Sequence, residues 1–269
     1  MVIHIHALDA DSRARWQTRI ADLEQGIQYP LGDDFFEIDH GENYYTFFDR
    51  MGDSETYLAA DGDTVAGVGA IVMRSIPPTV DKAALPCWYL CDLKVPRPYR
   101  RQRIPIKMFL HGFPRHYPKC PRGYAISMNP GDGTPNPVVR LANHIKLAPV
   151  SIGCTLLIYS LNAEEMIRMA PTLKFHRGNI SFLSMDGVKN IRLASTGLPM
   201  PLLHLQFGPC AQAGLTNPQP EHIHMFSTPA TDPLAEAMLA HGFAATATAT
   251  VLHHRMGEWD WRFVLTNEI

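Results

Sequence analysis

The 269-residue chain has no run near the roughly 20 consecutive apolar residues that a membrane-spanning helix needs. Residues 1–10 also lack the basic start and apolar core of a signal peptide. A cytoplasmic protein with no membrane span is expected. Charge of one sign is missing as well. With 24 basic and 26 acidic residues the formal net charge is −2, which excludes a generally basic nucleic-acid binder. Cysteines are few, odd in number and scattered (Cys87, Cys91, Cys120, Cys154, Cys210), so buried thiols are expected and not a disulfide framework. Histidine is plentiful, yet His4 with His6, His222 with His224 and His253 with His254 have no Cys or carboxylate at ligand spacing. No metal site is predicted.

The chain does have apolar content, 46%, and the length for one large domain or two small ones. Residues 11–26 carry Trp16, Ile20 and Leu23 at helical spacing, with Asp11 or Ser12 as cap. An aromatic stretch over 29–53 should include a second helix near 42–50. A hairpin follows, two β-rich runs about Asp61-Gly62-Asp63. Further helices are expected at about 105–113, 137–145, 163–170 and 232–241. Strands are expected at 88–95, 124–128, 150–160, 180–185, 191–194, 202–207, 222–227, 245–254 and 261–266. This order predicts a mixed α/β (α+β) fold, a largely antiparallel central sheet flanked by helices.

The segment 87–108 concentrates the chemistry. An apolar strand breaks at Pro96 and Pro98, passes through Arg100-Arg101-Gln102-Arg103-Ile104-Pro105 and enters a helix. Free amides at a helix start, the positive end of its dipole and three arginines at one point make an anion site, and a pyrophosphate-bearing ligand fits it first.

The order of elements, with Asp92-Leu93-Lys94-Val95 running into Tyr99-Arg100, resembles the GNAT-type N-acyltransferase family over roughly residues 1–160. Residues 161–269 look like a second, degenerate copy or the late strands of one enlarged sheet, which gives domains of 1–160 and 161–269. The resemblance implies a donor, acetyl-CoA or another acyl-CoA, and an amine-bearing acceptor. It places the pantetheine arm along Leu93, Lys94 and Val95 and the pyrophosphate on Arg100, Arg101, Gln102, Arg103, Ile104 and Pro105. The family turn reads Arg/Gln-x-x-Gly-x-Gly/Ala. Here Arg103 and Pro105 replace the glycines, so a Cβ stands where the backbone should be open and one N–H is missing.

Catalytic candidates by the same resemblance are His144, beside Asn143 at the place of the family's acid, and Tyr89 at that of its base, with Asp92 as carboxylate if the strand register slips by one residue. Strict alternation sends Tyr89, Cys91 and Leu93 to one face and Leu90, Asp92 and Lys94 to the other. Asn129, in the loop Asn129-Pro130-Gly131-Asp132-Gly133, is a substrate candidate. The expected reaction is direct acyl transfer to an amine. Two alternatives stay open: a non-catalytic binding protein of the same fold, and a synthase of the long-chain N-acyl amino acid or acyl-homoserine lactone type. Edge strands near the end of the sequence allow a homodimer.

Overall fold

The computed structural model describes residues 2–211 and 215–269. The chain begins with β1 (His4–Ala7), α1 (Ala10–Glu24), β2 (Tyr29–Leu31), β3 (Asp34–Asp39), α2 (Thr46–Met51), β4 (Asp53–Asp61) and β5 (Thr64–Ile76). It continues through β6 (Leu85–Lys94), α3 (Ile104–His116), β7 (Gly123–Met128), α4 (Pro137–Ala142), β8 (Ser151–Leu161), α5 (Ala163–Arg177) and β9 (Ile180–Ser184). The last elements are β10 (Asn190–Leu193), β11 (Leu202–Phe207), β12 (Ile223–Pro229), α6 (Pro233–Ala240) and β13 (Ala247–His254).

Local chemistry explains where the expected elements shift. The cap of α1 is Asp9, not Asp11 or Ser12; Ser12 sits at the third helical position and answers with a bond to the Asp9 amide. The helix expected over 42–50 is only α2, and the aromatic stretch before it folds as the β2–β3 hairpin, which β10 joins in a three-stranded side sheet. α5 runs far past 170, started by a reciprocal Asn162–Glu165 capping box and continuing through Pro171. No strand forms over 261–266. Asp260 accepts from the Arg262 amide and turns the backbone into a 3₁₀ turn at Trp261–Phe263, with another at Thr266–Glu268.

The main sheet has ten strands in the order β1-β4-β5-β6-β7-β13-β8-β12-β11-β9. It is largely antiparallel, with two parallel pairs, β6 with β7 and β11 with β12. The run β6, α3, β7, α4, β8 is echoed by β11, β12, α6, β13, so the C-terminal half repeats the first in reduced form. The halves exchange strands. β13 lies between β7 and β8, and β8 lies between β13 and β12, so each half's final strand is built into the other's edge.

Helices cover both faces. One apolar layer joins Trp16 and Ile20 of α1 and Phe47 and Phe48 of α2 to Val72, Tyr89 and Tyr124 of the sheet. A second gathers Met166, Met169 and Leu173 of α5 with Leu234 and Met238 of α6, and a third sets Ile104 and Met108 of α3 on Tyr57 and Ala66. No helix among the described residues is long and apolar enough to cross a membrane. All five cysteines are free thiols.

Candidate active site

The sheet opens between β6 and β7. These strands pair only through Trp88↔Gly123, Tyr89↔Tyr124 and Leu90↔Ala125, although β6 continues to Lys94 and β7 to Met128. Past the last pair they diverge, and a cavity of about 340 Å³ occupies the gap, walled by Cys91, Leu93, Phe109, Ile126 and Met128 among others. A cavity of this size, mostly apolar with a few polar groups, is the ordinary form of a small-molecule site.

A bulge in β6 decides what faces this gap. Val68 and Ala70 of β5 stand opposite Lys94 and Cys91, so β6 carries one residue more than its partner, and Asp92 takes the left-handed conformation with φ of 54°. The extra residue breaks the alternation expected from the sequence. Asp92 and Lys94 bond into the α1 and α2 side, in the same layer as Tyr89 and not opposite it. Leu93 points to α3, near Met108 and Gly69.

Behind the bulge lies a buried ionic cluster. Lys94 donates to Asp92 and, at 2.6 Å, to Glu24; His40 Nδ1 meets the same Glu24 oxygen at 2.7 Å; and Tyr44 donates to Asp92. Burial opposes ionisation of Asp92, but the Lys94 ammonium, the nearby His40 and the bonds from Lys94 and Tyr44 outweigh it and hold the carboxyl below its ordinary value. Burial likewise disfavours the Lys94 ammonium, and Asp92 and Glu24 reverse that, keeping it protonated. Glu24, His40 and Asp92 offer ligand atoms within 4.8 Å of one another. Lys94 already supplies the positive charge that such a trio calls for. Neither Glu24 nor His40 was marked by the sequence, because their partners lie 70 and 16 residues away.

Just past this same C-terminal end of β6 the backbone makes the anticipated turn. Arg101 and Arg103 are both left-handed, with φ of 69° and 57°, and Arg103 caps α3. The position where the family motif has glycine therefore keeps glycine-like geometry, at a cost on the order of 1 kcal/mol. The amides of Arg101, Arg103, Ile104 and Ile106 have no acceptor among the described residues, while Pro105 contributes none. Arg100, Arg101 and Arg103 are exposed. Arg100 Nε donates to the Val95 carbonyl, and Gln102 reaches back to the Pro98 carbonyl. Gly67 lets α3 approach: a Cβ there would lie 2.9 Å from Ile104 Cγ2.

The C-terminal half supplies another wall. Lys189 is buried and donates to a main-chain oxygen of Ile269, with its Nζ 4.8 Å from the Phe47 ring centre. Glu268 pairs with Arg74 at 2.5 Å, and its carbonyl accepts from Tyr89 at 2.5 Å. Thr266 donates to the Met225 carbonyl, so its oxygen accepts from His204 Nδ1 at 2.9 Å. Burial, with the Lys189 charge nearby, pushes His204 down to about 3 and keeps it neutral.

The sequence-derived candidates separate accordingly. Tyr89, Asp92, Leu93 and Pro105 line the cavity, and Lys94 is directed away from it into the ionic cluster. Val95 packs against the start of α3, whose first residue is Ile104. Tyr89 stacks on Tyr124 at 4.6 Å, and burial raises both phenols far above their ordinary value. His144 is exposed just past α4, held by the Arg140 carbonyl at 2.8 Å, and does not line the cavity. Asn129 uses its side chain to tie β7 to Thr248 and Thr250 of β13 and to Asn136, the cap of α4.

Among the described residues the second parallel pair, β11 with β12, is packed differently. Phe207 and Phe226 fill it, with ring centres 6.1 Å apart, beside Arg177 bound to Thr228 and Asp232. Among the described residues no α-helix stands between β11 and β12, only a 3₁₀ turn at Gly208–Cys210. The anion cradle therefore occurs once.

No protein-family model matches the chain, and no curated protein matches it in sequence. Solved structures do match. A tandem GNAT protein from the clavulanic acid biosynthesis pathway, solved without acetyl-CoA, aligns over 96% of this chain and 100% of that one, at 11% identity and a TM-score of 0.52. A candidate acetyltransferase from Pyrococcus horikoshii aligns over 97% and 92%, at 10% identity and a TM-score of 0.49. Arabidopsis thaliana NAA60 in complex with acetyl-CoA aligns over 60% and 89%, at 15% identity and a TM-score of 0.37. Only the first carries weight for the fold. Together with the strand order and the single open gap, it gives the chain a tandem GNAT-type acyltransferase fold, two copies sharing one sheet, the second in degenerate form.

Proposed function

We propose that the protein transfers an acyl group from acyl-CoA to an amine, by direct attack while donor and acceptor are both bound. One observation carries the reading: the gap between β6 and β7 runs from an arginine-rich helix start with unbonded amides to a buried cluster of ionised groups. The pyrophosphate would lie on Arg100, Arg101, Arg103 and the neighbouring amides, with the Pro105 contact missing. The β6 edge from Cys91 to Lys94, unpaired on its β7 side, would bond the pantetheine arm.

The acceptor amine attacks the thioester carbonyl, the C–S bond breaks and CoA leaves as thiolate. Asp92 is a weak base, because its neighbours hold it ionised. His40 fits the proton-accepting role better. Glu24 fixes its Nδ1, and its Nε2 has no hydrogen-bond partner among the described residues. His144 stands outside the cavity and has no part in this scheme.

A second reading, binding without turnover, is favoured by Glu268 and Ile269, which line the same cavity. Thiol release separates the two when acetyl-CoA and long-chain acyl-CoA are each offered with a panel of amines. Calorimetry tests the donor site: replacing Arg100 and Arg103 by Ala should weaken CoA binding by about tenfold or more, since each cation–phosphate bond contributes on the order of 1 kcal/mol. Unchanged affinity would remove the turn from the scheme. CoA binding without thiol release from any pair would leave only the binding reading.

A further inference from the structure

We propose that the donor carries a medium-length fatty acyl group, whose chain lies in an apolar bore between α3, α4 and the sheet. The proposal rests on the acyl-CoA reading above and names its donor. The cavity is not confined to the gap between β6 and β7. It continues along α3, and one face of that helix lines it: Pro105, Met108, Phe109, Gly112, Phe113 and His116, at the three- and four-residue spacing of a single stripe. Phe109, Phe113 and Tyr117 form an aromatic wall, with successive ring centres 5.3 and 4.5 Å apart. Leu141 and Ala142 of α4, with Ile145 just past it, add a second wall. The floor is three strands wide, because Leu90 pairs with Ala125 and Ala125 with Leu252 across β6, β7 and β13. Trp88, two residues before Leu90 and so on the same face, donates to the Cys120 carbonyl beyond α3, which makes this the α3 face of the sheet.

Apolar helix stripes ordinarily bury themselves against a neighbour. Here Phe113, Leu141 and Ile145 stay half-buried, and Leu93, on a strand inside a ten-stranded sheet, is 40% exposed. An acetyl group would leave most of that surface without contacts. Polar side chains on this side bond within the protein: Ser127 to Asn136, His116 to Tyr57, and His254 to the Pro149 carbonyl. A chain without polar atoms therefore fits the bore. A pantetheine arm on the β6 edge would bring the thioester to Cys91, where the strands part. The acceptor, served by His40, would lie on the α1 and α2 side, which leaves the α3 side to the chain. Phe109 to Tyr117 spans eight residues, about 12 Å at about 1.5 Å each, the reach of an extended chain of about 8–10 carbons.

The test is calorimetry on the full-length protein with CoA, acetyl-CoA, decanoyl-CoA and free decanoate. Each buried methylene contributes about fourfold to affinity and ordering the chain takes part of that back, so decanoyl-CoA should bind at least about a hundredfold tighter than acetyl-CoA. Ala142→Phe fills the bore and should cut the ratio of decanoyl-CoA to CoA affinity at least about tenfold. Ile145→Trp, at a half-buried position, gives the same readout where Ala142→Phe does not fold. If CoA binds but decanoyl-CoA binds no tighter than acetyl-CoA, the proposal is wrong and the donor site stands. A gain that survives the filled bore would put the chain elsewhere, and decanoate binding as tightly as decanoyl-CoA would make the bore a fatty-acid site; either result overturns the proposal. If neither CoA nor its thioesters bind, the acyl-CoA reading fails and this proposal fails with it.

Discussion

Replacing Lys94 by Met removes the cation that compensates Asp92 and Glu24, both buried and both bonded to its ammonium. Breaking a buried ion pair from one side costs about 3–5 kcal/mol, because the remaining charge has lost both water and partner. In a domain of this size 1 kcal/mol corresponds to roughly 2–4 °C, so Tm should fall by about 6–20 °C. The pH dependence is more diagnostic. In the native protein the folded Asp92 value lies below its unfolded value of about 3.9, so its ionisation adds stability above about pH 4, and that contribution fades as pH falls through the folded value. Without Lys94 the main compensating charge is gone and desolvation remains. The folded carboxyl then titrates above its unfolded value, and this group's contribution falls as pH rises past about 4. Urea unfolding between about pH 4 and 7 should show the slope of stability against pH turning downward in the variant relative to the native protein, and a second change, Asp92→Asn, should restore part of the loss. A loss under about 1 kcal/mol with the native slope would mean that water screens the cluster, and the account of a dry ionic site would be wrong.

Three further outcomes follow from the same geometry. Arg103→Gly relieves a left-handed φ of 57° and should raise stability by about 0.5–1 kcal/mol in urea titration; a loss instead would show that the side chain supports the turn. Gly67→Ala puts a Cβ 2.9 Å from Ile104 Cγ2 and should cost about 1–3 kcal/mol, with weaker CoA binding because the first turn of α3 is pushed off β5; unchanged values for both would show that α3 shifts freely. Cutting the chain after residue 160 leaves β7 and β8 without the strand that joins them, so neither fragment should show a cooperative unfolding transition alone; a cooperative N-terminal fragment would show that β13 is dispensable.

Much of the fold was legible because it is local. The hairpin at Asp61-Gly62-Asp63, the strand before Pro96 and the helix after Arg103 are each written in contiguous residues, and each is found close to its expected bounds. Asp92 shows the limit. Its face depends on one extra residue in β6, and the alternation Trp88-Tyr89-Leu90-Cys91 does not announce a bulge whose cause lies in the partners of Asp92 and Lys94, far away in the chain. His40, Glu24 and Lys189 carry no motif; only the folded chain brings His40 and Lys189 to the cavity and Glu24 to the cluster behind it. The chemistry that misled at 261–266 is also local: Asp260 bonding two residues ahead outweighs the β-like pattern of Trp261, Phe263 and Val264.

The two halves differ because an open gap between parallel strands is costly unless something fills it. After β6 the chain builds a helix whose free amides and arginines attract an anion, and a ligand can then line the unpaired edge of β6. After β11 no such helix is present among the described residues, so a ligand has no anchor, and Phe207, Phe226 and the Arg177–Asp232 pair close the space with side chains. The second half then keeps its place as scaffold. It lends β13 to the first sheet, and Lys189, Thr266 and Glu268 reach from it to the remaining cavity, with His204 behind Thr266. On this argument the degenerate copy was not free to disappear: the gap has walls from both halves, with Lys189, Met225, Leu252 and Glu268 supplied by the half without a cradle of its own.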